Sequence, residues 1–276
     1  MDEAHRKKLE LCSRLRELGR VAVAFSAGVD STFLLTVARE VLGDGVIAVT
    51  ADVSSFPSHE QKEAASYCGS LGIPHVVVRI DQLAIAGFRN NPPDRCYLCK
   101  RVLFSEILRA AKEYGISHVV EGSNADDVHD YRPGMRALSE LGILSPMKEL
   151  GLAKNDIRAL SKEMALPTWD KPSMACLATR FEYGELITEE KLTMVGEAER
   201  RLSELGFRQV RVRCHGRIAR IEIAPSEFDR VLVGGLAEKI DRALRKLGFL
   251  YVALDLGGYK TGNMNRSLGI STGSSS

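Results

Sequence analysis

The sequence predicts an α/β fold: a parallel sheet flanked by helices, followed by a smaller C-terminal α+β domain. Three observations carry this expectation. Short apolar runs alternate with amphipathic stretches through the first half of the chain, at the spacing of βαβ units. In parallel sheets of that kind, covered by helices on both faces, such runs are the buried strands. After Arg180 the pattern turns to strict alternation around His215-Gly216, which marks a hairpin. The expected domains are 1–184 and 185–268, with 269–276 as a flexible tail.

The elements follow in order. Residues 3–18 place Leu at helical spacing among alternating charges, an amphipathic helix. RVAVAF (20–25) is a short buried strand and 31–42 a helix. GVIAVTA (45–51) is a second strand, 58–71 a helix, IPHVVVRI (73–80) a third strand, 97–114 a helix and SHVVEGS (117–123) a fourth strand. Ligands of such sheets sit at the carboxyl ends of the strands, where Ser26 and Asp52 fall. In the second domain, 188–207 starts at a Thr cap with Glu in its first turn. The hairpin 209–224, a helix pair (226–247) and a further strand (250–256) complete it.

With 276 residues, 45% of them apolar, the chain can bury a sizeable core. A net charge of +2, from 38 basic and 36 acidic side chains, gives no global attraction to nucleic acid or an anionic membrane. The N-terminus lacks the apolar core of a signal peptide and no stretch is long enough to span a bilayer, so a cytoplasmic protein is expected. Six cysteines in that compartment are thiols or metal ligands, not disulfides.

The loop Ser26-Ala27-Gly28-Val29-Asp30-Ser31 joins a buried strand to a helix start. The first free amides of a helix attract anions, and small residues let a phosphate approach closely. A tight turn with an Asp or Ser cap reads the same way. The strand on one side and the apolar helix on the other favour the phosphate site. Downstream, Cys96-x-x-Cys99 opens a helix and Cys176 follows in MACLATR. A redox pair, a zinc site completed by His129 or His215, and an iron–sulfur centre with one iron lacking a protein ligand are the readings that three thiols allow. Cys12 and Cys68 lie at helix positions suited to the core.

In EGSNADDVHDYRPG, Glu121, Asp126, Asp127 and Asp130 could hold Mg²⁺ with ATP phosphates, or simply cap helices. Asp52 could face ribose or adenine. In the hairpin, Arg211 and Arg213 share one face, opposite Val210, Val212 and Cys214. Arg220 and Glu222 share a face of the return strand. Such a charged face is either solvated or a phosphate clamp, since arginine pairs grip phosphate bidentately. Arg180, just after the third cysteine, could bind phosphate or the acceptor.

SAGVDS resembles the SGGxDS pyrophosphate loop of the PP-loop ATPases (adenine nucleotide alpha hydrolase-like), with Ala27 in place of the second glycine. ADV (51–53), EGSNADD (121–127), DYRPG (130–134), KPSMACLATRF (171–181), RVRCHGRIARIEI (211–223) and LDLGGYKTGNMN (254–265) extend the likeness across nearly the whole chain. Together they resemble the LarE family of ATP-dependent sulfur transferases, which build the nickel-pincer nucleotide cofactor. The resemblance implies ATP and Mg²⁺ as cofactors and pyridinium-3,5-biscarboxylic acid mononucleotide as acceptor, adenylated and then converted to thiocarboxylates. Some members carry one sacrificial cysteine and others three. Cys96, Cys99 and Cys176 match the second kind, which implies a 4Fe-4S cluster presenting sulfide. The matching arginines, Arg211 and Arg213, would lie near the substrate phosphate, and Glu199, Glu222 and Asp229 would be acids close to the site that could take a divalent metal. The expected partners are a small-molecule nucleotide, a sulfide donor and further copies of the chain, a hexamer by resemblance. A PP-loop tRNA thiolase and a non-catalytic nucleotide- or iron-sensing module are the competing readings.

Overall fold

A computed structural model describes residues 2–55, 59–129, 133–172, 175–260 and 262–264, with 59, 60, 128 and 129 described by backbone alone. The expected tail at 269–276, Asp130 and the His129 side chain lie outside the described residues. Two compact units emerge, one of 1–85 with 94–174 and one of 86–93 with 175–276. The second unit thus takes in 86–93, a stretch that the sequence reading assigned to the first domain.

In the first unit the order is α1 (Glu3–Leu18), β1 (Val21–Ala24), α2 (Val29–Leu42), β2 (Val46–Asp52), α3 (His59–Leu71), β3 (His75–Arg79), α4 (Arg95–Glu113), β4 (His118–Val120), α5 (Gly134–Glu140), α6 (Pro146–Glu149) and α7 (Lys154–Glu163). The four strands pair in parallel in the order β3-β2-β1-β4. Along β1, Val21 and Val23 face a core built with Leu11 and Leu15 of α1, Phe33 and Leu34 of α2, and Ile157 and Leu160 of α7. Ala22 between them faces a second core with Phe104 and Ile107 of α4 and Leu138 of α5. Burial on both faces is why these strands read as unbroken apolar runs. The strand order runs outward from β1 through β2 to β3 and then returns to the other side of β1 for β4. That reversal makes the carboxyl ends of β1 and β4 the switch point, where ligands of such sheets bind.

The expected strands and helices are present with shifted ends. Helix α2 starts at Val29 instead of 31, so Asp30 and Ser31 lie in its first turn. Helix α4 starts at Arg95 instead of 97, which puts both cysteines of the pair inside it. Helices α5, α6 and α7 were not foreseen. With seven and four residues, α5 and α6 are too short to show a helical period.

The second unit contains α8 (Glu189–Glu204), β5 (Val210–His215), β6 (Ile218–Ile223), α9 (Phe228–Leu232), α10 (Leu236–Arg245) and β7 (Tyr251–Leu254). Thr188 caps α8, its side chain accepting from the Lys191 amide. Strands β5 and β6 form the antiparallel hairpin expected, and β7 joins β6 in parallel. Val210, Val212, Cys214, Ala219, Ile221 and Ile223 are buried on one side of the sheet. Residues 86–93 attach through Asn91, whose Nδ2 donates to the carbonyls of Phe181 (3.2 Å) and Glu182 (2.6 Å). Among the described residues, no helix is long and apolar enough to cross a membrane.

Candidate functional site

The nucleotide loop begins where β1 is pinned. The Phe25 amide donates to Val49 O at 2.9 Å, and its carbonyl accepts from Thr50 Oγ1 at 2.8 Å. Ala27 then takes φ +53°, a left-handed conformation that costs an L residue about 1–2 kcal/mol. Its methyl is buried, which returns about 0.8 kcal/mol. A glycine would add about 0.4–1 kcal/mol of unfolded-state entropy to be lost. The terms nearly cancel, so alanine holds this position without a large penalty.

Gly28 is the N-cap of α2 and offers no capping side chain. The amides of the first turn therefore have no acceptor within the helix, as an anion site requires. Ser31 Oγ accepts from the Ser26 amide (3.3 Å), donates to Gly28 O (3.3 Å) and lies 3.1 Å from Ser26 Oγ, holding the loop closed on itself. Thr32, next along the helix, is fully buried, with no partner for Oγ1 among the described residues. The turn after β4 presses on this helix start. A Cβ on Gly122 would lie 3.1 Å from Ser31 N and 3.3 Å from Ser31 Cα.

The loop has no lysine of its own, yet two reach it. Lys154 Nζ pairs with Asp30 Oδ2, and Lys171 Nζ donates to Ala27 O at 3.1 Å while pairing with Glu63 at 2.6 Å. The sequence reading gave neither a role; only Lys171 stood within a quoted motif. Asp30 also accepts from Asn124 Nδ2 at 3.4 Å. Asp126 accepts from the Lys154 amide at the start of α7 (2.9 Å), a helix-capping position. Asp52, at the end of β2, accepts from Gln61 Nε2 and lies 3.6 Å from Arg79 Nε. Glu121 is buried, with its two oxygens taken by Ser123 Oγ (2.8 Å) and Ser145 Oγ. It ties the β4 turn to α6.

Cys96 and Cys99, the second and fifth residues of α4, are three residues apart and share a side of the helix. Gln82, 1% exposed, donates its Nε2 to Cys99 Sγ at 2.9 Å. The buried Arg95 guanidinium lies 3.8 Å from Cys96 Sγ. Donors of this kind orient sulfur ligands at metal centres. The six cysteines form no disulfide. Cys12, Cys68 and Cys214 belong to the core, and burial pushes the Cys68 and Cys214 thiols up to about 11. Cys176 belongs to the second unit, half-buried ahead of the short 3₁₀ turn Leu177–Arg180.

There a charged cluster is built around the hairpin. Arg211 stands opposite Glu222 and Arg213 opposite Arg220. The face is not solvated, as one sequence reading allowed: Arg211 and Arg213 are 7% exposed and Glu222 is 0% exposed. Buried charges persist only when paired and hydrogen-bonded. Arg213 grips Glu222 through Nε (3.1 Å) and Nη2 (2.9 Å) and donates Nη1 to Thr179 O at 2.6 Å. Arg180 grips Glu199 through Nε (2.7 Å) and Nη2 (2.9 Å) and donates Nη1 to Thr179 Oγ1 (2.6 Å) and Cys176 O (3.4 Å). Glu199 also accepts from the Val212 amide at 2.8 Å. Arg220 pairs with Asp255 and donates Nε to His215 Nε2 at 3.0 Å, while His215 Nδ1 lies 3.0 Å from Glu182.

Arg211 donates to Val210 O at 2.8 Å and lies 5.3 Å from the Tyr259 ring centroid. Burial, and next the Arg180 charge, hold it below the ordinary arginine value. The cluster engages two of the expected acids. Glu199 and Glu222 are counter-ions of Arg180 and Arg213, and Asp229 is exposed on α9. Among the described residues, no three His, Cys, Asp or Glu side chains gather into a metal-binding group.

No family model matches the chain. Over 263 residues it is 40% identical to the pyridinium-3,5-bisthiocarboxylic acid mononucleotide synthase of Lactiplantibacillus plantarum, with 95% of each chain covered. It is 42% identical over 252 residues to the uncharacterized protein slr1717 of Synechocystis, covering 91% of this chain and 94% of that one. A shorter match, 33% over 164 residues, reaches argininosuccinate synthase of Natronomonas pharaonis, covering 55% of this chain and 41% of that one. The near-complete match to the synthase, on a parallel sheet that carries the SAGVDS loop at its switch point, places the chain in the LarE family of ATP-dependent sulfur transferases within the PP-loop superfamily.

Proposed function

We propose that this enzyme adenylates a carboxylate of pyridinium-3,5-biscarboxylic acid mononucleotide and converts it to a thiocarboxylate, as a step toward the nickel-pincer nucleotide. The observation that carries the proposal is the run of bonds beside Cys176. The Cys176 carbonyl accepts from Arg180, Arg180 is held by Glu199, and Glu199 accepts from Val212, between Arg211 and Arg213. A sulfur-bearing residue and a buried guanidinium cluster are thereby fixed in one unit, as transfer of sulfur to a phosphate-bearing acceptor requires.

A carboxylate alone resists a sulfur nucleophile, because its oxygen is a poor leaving group. In the proposed reaction a carboxylate oxygen attacks the α-phosphorus of ATP, and the α–β bridging P–O bond breaks to release pyrophosphate. The first-turn amides of α2, with Lys154 and Lys171, stabilise the charge that develops on pyrophosphate, and Mg²⁺ arrives with the ATP. The sulfur nucleophile then adds to the acyl carbon, and AMP leaves with the C–O electron pair. Arg211 anchors the substrate phosphate, whereas Arg213, committed to Glu222 and Thr179, holds the hairpin.

The proposal takes from the family resemblance a 4Fe-4S cluster held by Cys96, Cys99 and Cys176 with one iron open; within the first unit, Gln82 donates to the Cys99 sulfur and Arg95 lies beside the Cys96 sulfur. When bound, such a cluster supplies sulfide. The proposal further comprises a cytoplasmic enzyme that binds neither nucleic acid nor membrane, receives sulfur from a sulfide donor and forms homo-oligomers. Exposed Leu232, Val233 and Leu256 of the second unit support the oligomer.

The test uses acceptor labelled with ¹⁸O in its carboxylates, on anaerobically purified protein whose iron and acid-labile sulfide are measured. Label appearing in AMP, one per thiocarboxylate formed, is the expected result. ADP as product, or AMP without label, rules out adenylation. Iron retained equally by Cys99→Ala and wild type rules out the cluster.

A further inference from the structure

The motif LDLGGYKTGNMN, which follows β7, has no part in the chemistry above, yet the structure lays it over the charged face of the hairpin. Its path is fixed at two points. The Asp255 amide donates to Ile221 O (2.9 Å) and the Tyr259 amide to Ile223 O (2.8 Å). Between them Gly258, at φ +65°, passes so close to Pro225 that a Cβ would lie 2.8 Å from its Cγ and 3.1 Å from Ile223 O. From this tether the strap delivers two side chains. The Tyr259 ring lies over the Arg211 guanidinium. Asn263, 5% exposed, donates Nδ2 to Glu222 Oε1 at 2.6 Å.

Glu222 sits at the centre of this arrangement. It faces Arg211 across the ladder and accepts from Arg213 and Asn263. A carboxylate only accepts, so the amide of Asn263 must turn its nitrogen to Glu222 and its oxygen away. That oxygen is buried and has no hydrogen-bond partner among the described residues. Native structures seldom leave a buried acceptor unmet, because the lost hydration is not recovered, and an exception points to a missing donor. The missing group must be a donor that tolerates a neighbouring guanidinium cluster. A neutral hydroxyl carried by a phosphorylated ligand satisfies both demands, its phosphate going to Arg211.

We infer that Asn263 is a specificity residue, whose Oδ1 accepts a hydrogen bond from a sugar hydroxyl of a ribosyl phosphate anchored by Arg211. The inference rests on the reading of Arg211 as the phosphate anchor, and extends it from the anionic end of the substrate to its sugar. Tyr259 keeps the guanidinium in its plane, so the strap sets both halves of the recognition.

Ribose 5-phosphate and methyl phosphate, both phosphate monoesters, separate the two contacts in calorimetric titrations of the full chain. Wild type is expected to bind ribose 5-phosphate about tenfold more tightly, the worth of one buried hydrogen bond. Asn263→Ala should bring ribose 5-phosphate down to the methyl phosphate affinity and leave methyl phosphate unchanged, with a thermal melt showing that the variant is folded. An intact sugar preference in Asn263→Ala overturns the inference. So does a wild type that binds the two ligands equally, a comparison that needs no variant. Arg211→Gln should lose both ligands. If it keeps methyl phosphate while Asn263→Ala loses the sugar preference, the anchor reading fails and the role of Asn263 stands.

Discussion

Removing the Glu222 side chain is the most demanding check on the buried cluster. Glu222→Ala would leave Arg213, 7% exposed, with only the Thr179 carbonyl for its charge. Breaking one side of a buried ion pair costs about 3–5 kcal/mol. Asn263 Nδ2 would lose its acceptor as well, about 1 kcal/mol more. Arg220 adds little, since it keeps Asp255. At roughly 4 °C per kcal/mol or more for a unit of this size, the loss corresponds to a drop of roughly 15–25 °C in the second unit's midpoint. The double variant Arg213→Met with Glu222→Leu removes both charges and fills the space with apolar atoms, so it should recover most of the loss. Differential scanning calorimetry, with each unit's transition resolved, reads all three proteins. A Glu222→Ala midpoint within about 2 °C of wild type would refute the energetics assigned to this pair. A double variant no more stable than the single one would do the same.

Two further outcomes are expected. Gly122→Ala should raise the KM for ATP about tenfold with little change in melting temperature, because its methyl would press on the Ser31 backbone at the start of α2; unchanged pyrophosphate-release kinetics would contradict the close approach. At pH 8, iodoacetamide should modify Cys96, Cys99 and Cys176 of the folded, iron-free protein while sparing Cys12, Cys68 and Cys214, as peptide mass spectrometry would show. For Cys68 and Cys214 the folded value, about 11, lies above the ordinary 9.0. Their burial therefore supports the fold fully below pH 9, and that support is lost as pH rises toward 11.

How much could be read in advance depended on whether a signal was local. The strand VAVA was legible because burial on both faces leaves an unbroken apolar run, and the hairpin because half-burial leaves alternation. The SAGVDS loop was legible from its place between strand and helix. Lys154 was not, since it meets Asp30 from 124 positions away and no local pattern marks it. Nor was the transfer of 86–93 to the second unit, which depends on Asn91 reaching the Phe181 and Glu182 carbonyls. The charged side of the hairpin was recognised, and Arg211 and Arg213 were placed on it together. Its burial was hidden, because opposite charges neutralise one another only when the strands are paired. For the same reason the pairing of Glu199 with Arg180 and of Glu222 with Arg213 was hidden.

The turn at Gly216-Arg217 has a consequence that reaches past its own two residues. Neighbouring side chains along a strand point to opposite sides, and the turn's length sets which of them meet across the hairpin. One added residue would exchange the two sides of β6, driving Arg220 and Glu222 into the oily layer and Ile221 out among the guanidiniums. Changes of residue type at the turn are therefore cheap, whereas a change in its length would turn the domain inside out along that strand.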